Sequence, residues 1–145
     1  MLKIYRPWNV PNNCHKQLLK LKLPYGVIVG YYQEAREKLL DNWTILSLDP
    51  SKEEVYGWVL ALQCTYTIRS KRSTVKTALM AYVKDSCRRK NVGSKLVNKA
   101  KKLVEEKDLP EVCAFCHDER SNEFWLRNGI SPVRFNGFQQ ILKGT

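Results

Sequence analysis

Three consecutive cations, Arg88, Arg89 and Lys90, stand directly ahead of Asn91, Val92, Gly93 and Ser94, and this cluster is the part of the chain best equipped for chemistry. Basic side chains attract anions. The attraction is strongest for phosphates when a helix starts beside them, because its first N–H groups lack intrahelical acceptors and its dipole presents a positive end. The flanking sequence supplies such a helix: Leu96, Val97, Ala100, Leu103 and Val104 share one face of a segment opened by Gly93. The apolar run 78–83, ahead of the cations, has strand length. No G-K-[ST] follows, which excludes the P-loop of nucleotide kinases. An ordinary strand-to-helix turn with solvated basic side chains is the other reading open at this point.

A second cluster invites different chemistry. Cys113, Cys116 and His117 spell C-x-x-C-H, nominally the haem-attachment pattern. Attachment needs an exported chain and thiols displayed on a loop or helix, whereas 112–116 is a short apolar run that reads as a strand. Residues three apart in a strand point to opposite faces, so Cys113 and Cys116 do not chelate one ion together. Zinc would need Cys14, His15 or Cys87 to approach. We therefore read the cysteines as core filler and expect no metal.

The elements that must position these groups follow from breakers and periodicity. A first strand is expected over 2–6, and a helix capped by Asn12 or Asn13 toward residue 21, with Leu18, Leu19 and Leu23 inward. Pro24 and Gly26 interrupt it. Tyr32, Ala35 and Leu39 mark a second helix ending near Asn42. Strands follow at 44–48, 56–63 and 75–84, then the motif helix, a strand at 112–116, a helix at 121–127 and a last strand near 138–142. The expected order is β-α-α-β-β-β-α-β-α-β, an α/β fold with a mixed sheet.

Composition suits one compact domain spanning 1–145, with 43% hydrophobic and 10% aromatic residues. The N-terminal stretch does not read as a signal peptide, no apolar run has membrane-spanning length, and five cysteines suggest free thiols in a reducing compartment, so a cytoplasmic location is expected. The formal net charge of +11 lies wholly between Arg69 and Lys102, where Asp85 is the one acid. Part of it sits on the hairpin with Arg69, Lys71, Arg72 and Lys76. Such a patch either guards a solvated strand edge or steers an acidic or nucleic-acid partner.

The loop also carries a resemblance. Arg88, Asn91, Val92, Gly93 and Leu96, with Val83 five residues before the arginine, resemble the R/Q-x-x-G-x-G/A pyrophosphate loop of the GNAT acyltransferase superfamily. Asn91 departs from the family's first glycine, though asparagine tolerates left-handed backbone angles. Downstream, Asp118, Ser121, Phe124, Trp125, Gly129 and Ile130 stand at the spacings of the family's N-x-x-A-x-x-F/L-Y-x-x-x-G-F segment. Upstream, 55–63 with Gly57 resembles its glycine-bearing strand. The resemblance covers about residues 44–142 and implies an acyl-CoA-dependent N-acetyltransferase.

It further implies acetyl-CoA as cosubstrate, with its diphosphate on the N–H groups of Asn91, Val92, Gly93 and Ser94 and on Arg88, Arg89 and Lys90. Ala81 and Val83 would lie along the cofactor strand, and Trp125 in the cofactor site. The thioester carbonyl would be held by a backbone N–H near Tyr82 or Ala81. The family's usual proton-donating tyrosine is replaced by Trp125, which leaves Tyr82, Cys116, water or an unassisted thiolate. Asp118, His117 and Glu119 are the candidate bases, each with an alternative as a helix-start residue. The acceptor amine, on a protein, a small molecule or a nucleic acid, stays open. The alternative function is a catalytically silent module that binds nucleic acid or a protein partner.

Overall fold

A computed structural model describes residues 1–21, 25–68, 72–116, 119–130, 132–134 and 143–144. Strands β1 (Leu2–Tyr5), β2 (Trp43–Leu48), β3 (Val55–Ile68), β4 (Arg72–Val83), β5 (Val112–Cys116), β6 (Pro132–Arg134) and β7 (Lys143–Gly144) form one sheet in the order β1-β2-β3-β4-β5-β6, with β7 pairing β3 beyond the end of β2. Pairings are antiparallel from β1 to β4 and parallel from β4 through β5 to β6. The helices are α1 (Asn12–Leu19), α2 (Gly26–Lys38), α3 (Val92–Glu106) and α4 (Glu119–Arg127). The mixed α/β sheet and the element order through α4 are those expected from the sequence, whereas β6 and β7 are not among the expected strands. The strand expected near 138–142 falls outside the described residues.

Strand alternation divides the core into two layers. Leu46, Leu48, Trp58, Leu60, Leu62, Ala78 and Met80 face α1 and α2, meeting Cys14, Leu18, Ile28, Val29 and Tyr32. Ile45, Val59, Ala61, Leu79 and Ala114 face the opposite way, onto Leu96, Val97, Ala100 and Leu103 of α3 and Trp125 of α4. Gly57 lets α3 lie close to β3. A Cβ there would stand 2.7 Å from Leu96 Cδ1, 2.9 Å from Val92 Cγ1 and 3.1 Å from the Tyr82 carbonyl oxygen.

Three local expectations change. Neither Asn12 nor Asn13 caps α1; Pro11, extended at φ −55° and ψ 145°, holds that position and leads the chain into the helix. Leu18 is buried, but Leu19 points outward, one position off the apolar face. Helix α2 stops at Lys38 rather than near Asn42 because Leu39 turns left-handed, at φ 52°, and its side chain is 63% exposed. Cys14, Cys87 and Cys113 are buried free thiols, as core filler should be. Among the described residues no group of His, Cys, Asp and Glu is arranged to hold a metal, and no helix is long and apolar enough to cross a membrane.

Candidate active site

Strands β4 and β5 pair over three positions, Thr77↔Val112, Ala78↔Cys113 and Leu79↔Ala114, and then part. Both continue beyond that point, β4 to Val83 and β5 to Cys116. The Thr77 N–H donates to the Glu111 carbonyl on the β5 side, and the Lys84 N–H donates to the Tyr56 carbonyl on the β3 side. Strand alternation therefore turns the peptide groups of Thr77, Leu79, Ala81 and Val83 toward β5, and those of Ala78, Met80 and Tyr82 toward β3. Beyond Leu79, the Ala81 and Val83 peptide groups face an edge that β5 has left. Of the two residues expected to supply a carbonyl-binding N–H, Ala81 turns its N–H to the open edge and Tyr82 turns its N–H toward β3.

The parted edge leads into a 3₁₀ turn, Asp85–Lys90, and then into α3. Asn91 joins the two in a left-handed conformation, φ 58° and ψ 22°, the geometry a glycine would adopt there and the one its side chain best tolerates. The first helical bond runs from the Lys95 N–H to the Asn91 carbonyl at 3.1 Å. The N–H groups of Val92, Gly93 and Ser94 precede it and have no intrahelical acceptor. Among the described residues no side chain caps them, and the first turn holds no acid. Gly93 is buried against the neighbouring elements: a Cβ would stand 2.8 Å from Phe124 Cε1 and 3.3 Å from Val83 Cγ2.

Arg88 is held in a fixed orientation. Its Nε donates to the Val83 carbonyl at 3.4 Å, and its Nη2 donates to the Tyr25 hydroxyl at 2.7 Å and pairs with Asp85 at 3.0 Å. Nη1 has no partner among the described residues. The guanidinium plane is thus set by three contacts, with one nitrogen left to bind an anion. Tyr25 lies at the start of α2, and its ring meets that of Tyr82 edge to face at 4.8 Å. Nothing in the sequence links Tyr25 to Arg88, which are 63 positions apart. Burial pushes the Tyr82 phenol up from its ordinary pKa, with Tyr25 adding to the rise, so it stays protonated at neutral pH.

The remaining site candidates divide. Ala81 and Val83 are half-buried, Val92 and Gly93 are buried, and Ser94 is half-buried. Arg89 and Lys90 are described by backbone alone, within the 3₁₀ turn. Trp125 is 3% exposed, in the layer beneath α3, with its ring 5.1 Å from that of Phe124. His117 and Asp118 lie outside the described residues, as do Arg69 and Lys71 of the hairpin. Glu119 opens α4, and Arg72 opens β4. Lys76 pairs with Glu111 at 3.5 Å.

No family model matches the sequence, and no curated protein matches it either. Solved structures do. Glucosamine-6-phosphate N-acetyltransferase from Arabidopsis thaliana aligns at a TM-score of 0.57 and 15% identity, over 90% of this chain and 92% of its own. An aminoglycoside antibiotic 6'-N-acetyltransferase from Acinetobacter baumannii aligns at 0.63 and 11% identity, over 90% and 89%. An aminoglycoside N-acetyltransferase in complex with CoA aligns at 0.62 and 13% identity, over 90% and 91%. The chain has the fold of these acetyltransferases, the GNAT fold that the loop motif implied.

Proposed function

We propose that this chain is an acyl-CoA-dependent N-acetyltransferase that moves an acetyl group from acetyl-CoA to an amine. The observation that carries the reading is the parting of β4 from β5 at the uncapped start of α3. Peptide groups on the open edge, free helix N–H groups and an oriented guanidinium stand in sequence there. The residues fit the cosubstrate: Asn91, Val92, Gly93 and Ser94 would receive the diphosphate with Arg88, and with Arg89 and Lys90 by sequence. Ala81 and Val83 would bind the pantetheine amides as a strand binds its neighbour. Two solved neighbours are described with CoA or a CoA-linked analogue bound.

Acetyl-CoA supplies an activated acetyl thioester, and the chain's part is to orient and polarise it. The Ala81 N–H would stabilise the carbonyl oxygen as the acceptor nitrogen attacks. A C–N bond forms and the C–S bond breaks. The amine proton passes to a base, for which His117 and Asp118 are the candidates, and the departing thiolate is protonated by Tyr82 or by water. A thiol with a pKa of about 8.5 leaves tolerably unaided, so loss of the family's tyrosine at Trp125 is not fatal to turnover. The hairpin cations Arg69, Lys71, Arg72 and Lys76 are candidates to steer an anionic acceptor.

Calorimetric titration with acetyl-CoA, followed by a thiol-release assay over a panel of amines, tests the reading. Arg88→Glu with Lys90→Glu should weaken binding by about tenfold or more at low salt, the equivalent of about 1.4 kcal/mol. Unchanged affinity would remove the proposed phosphate site. Binding without thiol release would favour the silent-module alternative.

A further inference from the structure

The outward face of α3 carries Lys95, Lys99 and Lys102 at i, i+4 and i+7, with Lys101 on its flank. Lys95 and Lys102 are exposed, and Lys99 and Lys101 are half-buried. None of the four forms an ion pair with a described residue, although Glu105 and Glu106 lie within reach of helical pairing. The charges also run in the wrong order for the helix itself. Cations run from Lys95 in the first turn through Lys99 at the middle to Lys101 and Lys102, Glu105 and Glu106 close the C-terminal end, and the last turn has no base. A helix gains from acids at its start and bases at its end, and from Glu placed before Lys rather than after it. Mere solvation of this face would be served equally well by the opposite, self-stabilising order. A row of cations without an anionic partner among the described residues is open to an external one.

Cosubstrate phosphates at the start of α3 do not account for the whole row. Lys102 lies about 15 Å along the axis from Val92 at about 1.5 Å per residue. The row from Lys95 to Lys102 spans about 10 Å, the axial length of about three successive phosphates in one strand of a duplex. No large hydrophobic is exposed on this helix; those among the described residues are Met1, Leu19, Leu39 and Leu126. The face therefore lacks both the apolar anchors of a protein interface and the apolar wedge of a membrane-surface helix. We infer that the outer face of α3 is a docking surface for a nucleic-acid backbone, contacting phosphates through Lys95, Lys99 and Lys102. It leads to the turn at Arg88. The inference concerns binding alone and stands whether or not the protein transfers an acetyl group.

The test is fluorescence anisotropy of the full chain with a labelled duplex of about 20 base pairs, at several salt concentrations between about 25 and 200 mM. The variant Lys99→Gln with Lys102→Gln removes two contacts at positions where Gln is an equally good helix former. The slope of log affinity against log salt should shrink by about 1.8, at about 0.9 per phosphate, with affinity near 50 mM falling by about tenfold or more. A charge-matched control, Lys16→Gln with Lys20→Gln near α1, should leave the slope unchanged. CoA affinity, where present, should be the same in all three proteins. Equal slopes for the two variants would overturn the inference, as would absence of duplex binding at about 25 mM salt, where phosphate contacts are strongest. Binding to phosphatidylglycerol vesicles in place of the duplex would overturn it as well.

Discussion

Substituting the groups that hold Arg88 changes anion affinity in opposite directions, and the structure gives the sign of each change. Tyr25→Phe removes the hydroxyl that accepts from Nη2 at 2.7 Å and leaves the ring packed on Tyr82. A hydrogen bond to a charged group contributes about 1.5–3 kcal/mol when well shielded. The Arg88 side chain is 36% exposed, so solvent screening reduces the expected loss to about 0.5–1 kcal/mol, or about two- to fivefold weaker CoA binding. Asp85→Asn removes a carboxylate that competes with an incoming phosphate for the same guanidinium. With Asp85 89% exposed, the gain is small, about a twofold tightening. Both effects must vanish in an Arg88→Ala background, because neither residue is argued to touch the phosphate itself. Calorimetric titration of CoA at about 50 mM salt, where surface electrostatics are weakly screened, measures the full cycle. The orienting role is refuted if Tyr25→Phe costs as much without Arg88 as with it, or if the two single variants shift affinity in the same direction.

Three further outcomes are expected. Gly57→Ala meets Leu96 at 2.7 Å and Val92 at 2.9 Å and should destabilise by about 1–2 kcal/mol after the unfolded-state gain is offset. Gly30→Ala, on the exposed side of α2 with nothing within 4 Å, should stabilise by about 0.8–1 kcal/mol. Thermal melts should therefore move in opposite directions by about 3–6 °C and about 3 °C, and shifts of the same sign would break the packing account. At position 91, Asn91→Gly should keep stability and CoA affinity equal or better, whereas Asn91→Ala should lose about 1 kcal/mol to its left-handed backbone; equal stability for the two would count against strain there. Burial, with Arg36 second, holds His15 below its ordinary pKa of 6.5, beside the Tyr32 hydroxyl at 2.7 Å. The unfolded chain then binds the extra proton first, so stability should fall as pH drops from about 6.5 through the lowered value, and denaturant midpoints of His15→Gln should lack that decline.

Much of the frame was legible because local pattern and tertiary demand agree. Strand β5 ends where its apolar run ends, and α3 buries Leu96, Val97, Ala100 and Leu103, the face its spacing defines. Asn91 occupies the left-handed region for which its side chain is suited. The misses have equally specific causes. Two asparagines obscured the capping position of Pro11, and helical spacing at Leu39 extended a helix that the left-handed turn had already ended. The strand-to-helix turn after β4 was legible, but the orientation of the Arg88 guanidinium was not. The Tyr25–Arg88 bond joins α2 to that turn across the sheet, and periodicity carries no information about such a pair.

Trp125 takes a packing role in the structure. The family resemblance implies a proton-donating tyrosine at this position, and the structure gives the tryptophan there a packing task. Its indole is almost wholly enclosed beneath α3 and meets Phe124 edge to face; Phe124 in turn contacts the space a side chain at Gly93 would fill. Phe124 of α4 therefore braces the first turn of α3, the turn whose N–H groups no described side chain caps. A tyrosine hydroxyl and an indole N–H enclosed to this degree each need a partner or cost about 1–3 kcal/mol unsatisfied. An indole offers more apolar surface for the same brace. Under the proposed acetyl transfer, bracing the first turn of α3 and donating a proton would be separable at this position, since the weak basicity of a thiolate relaxes the need for the second.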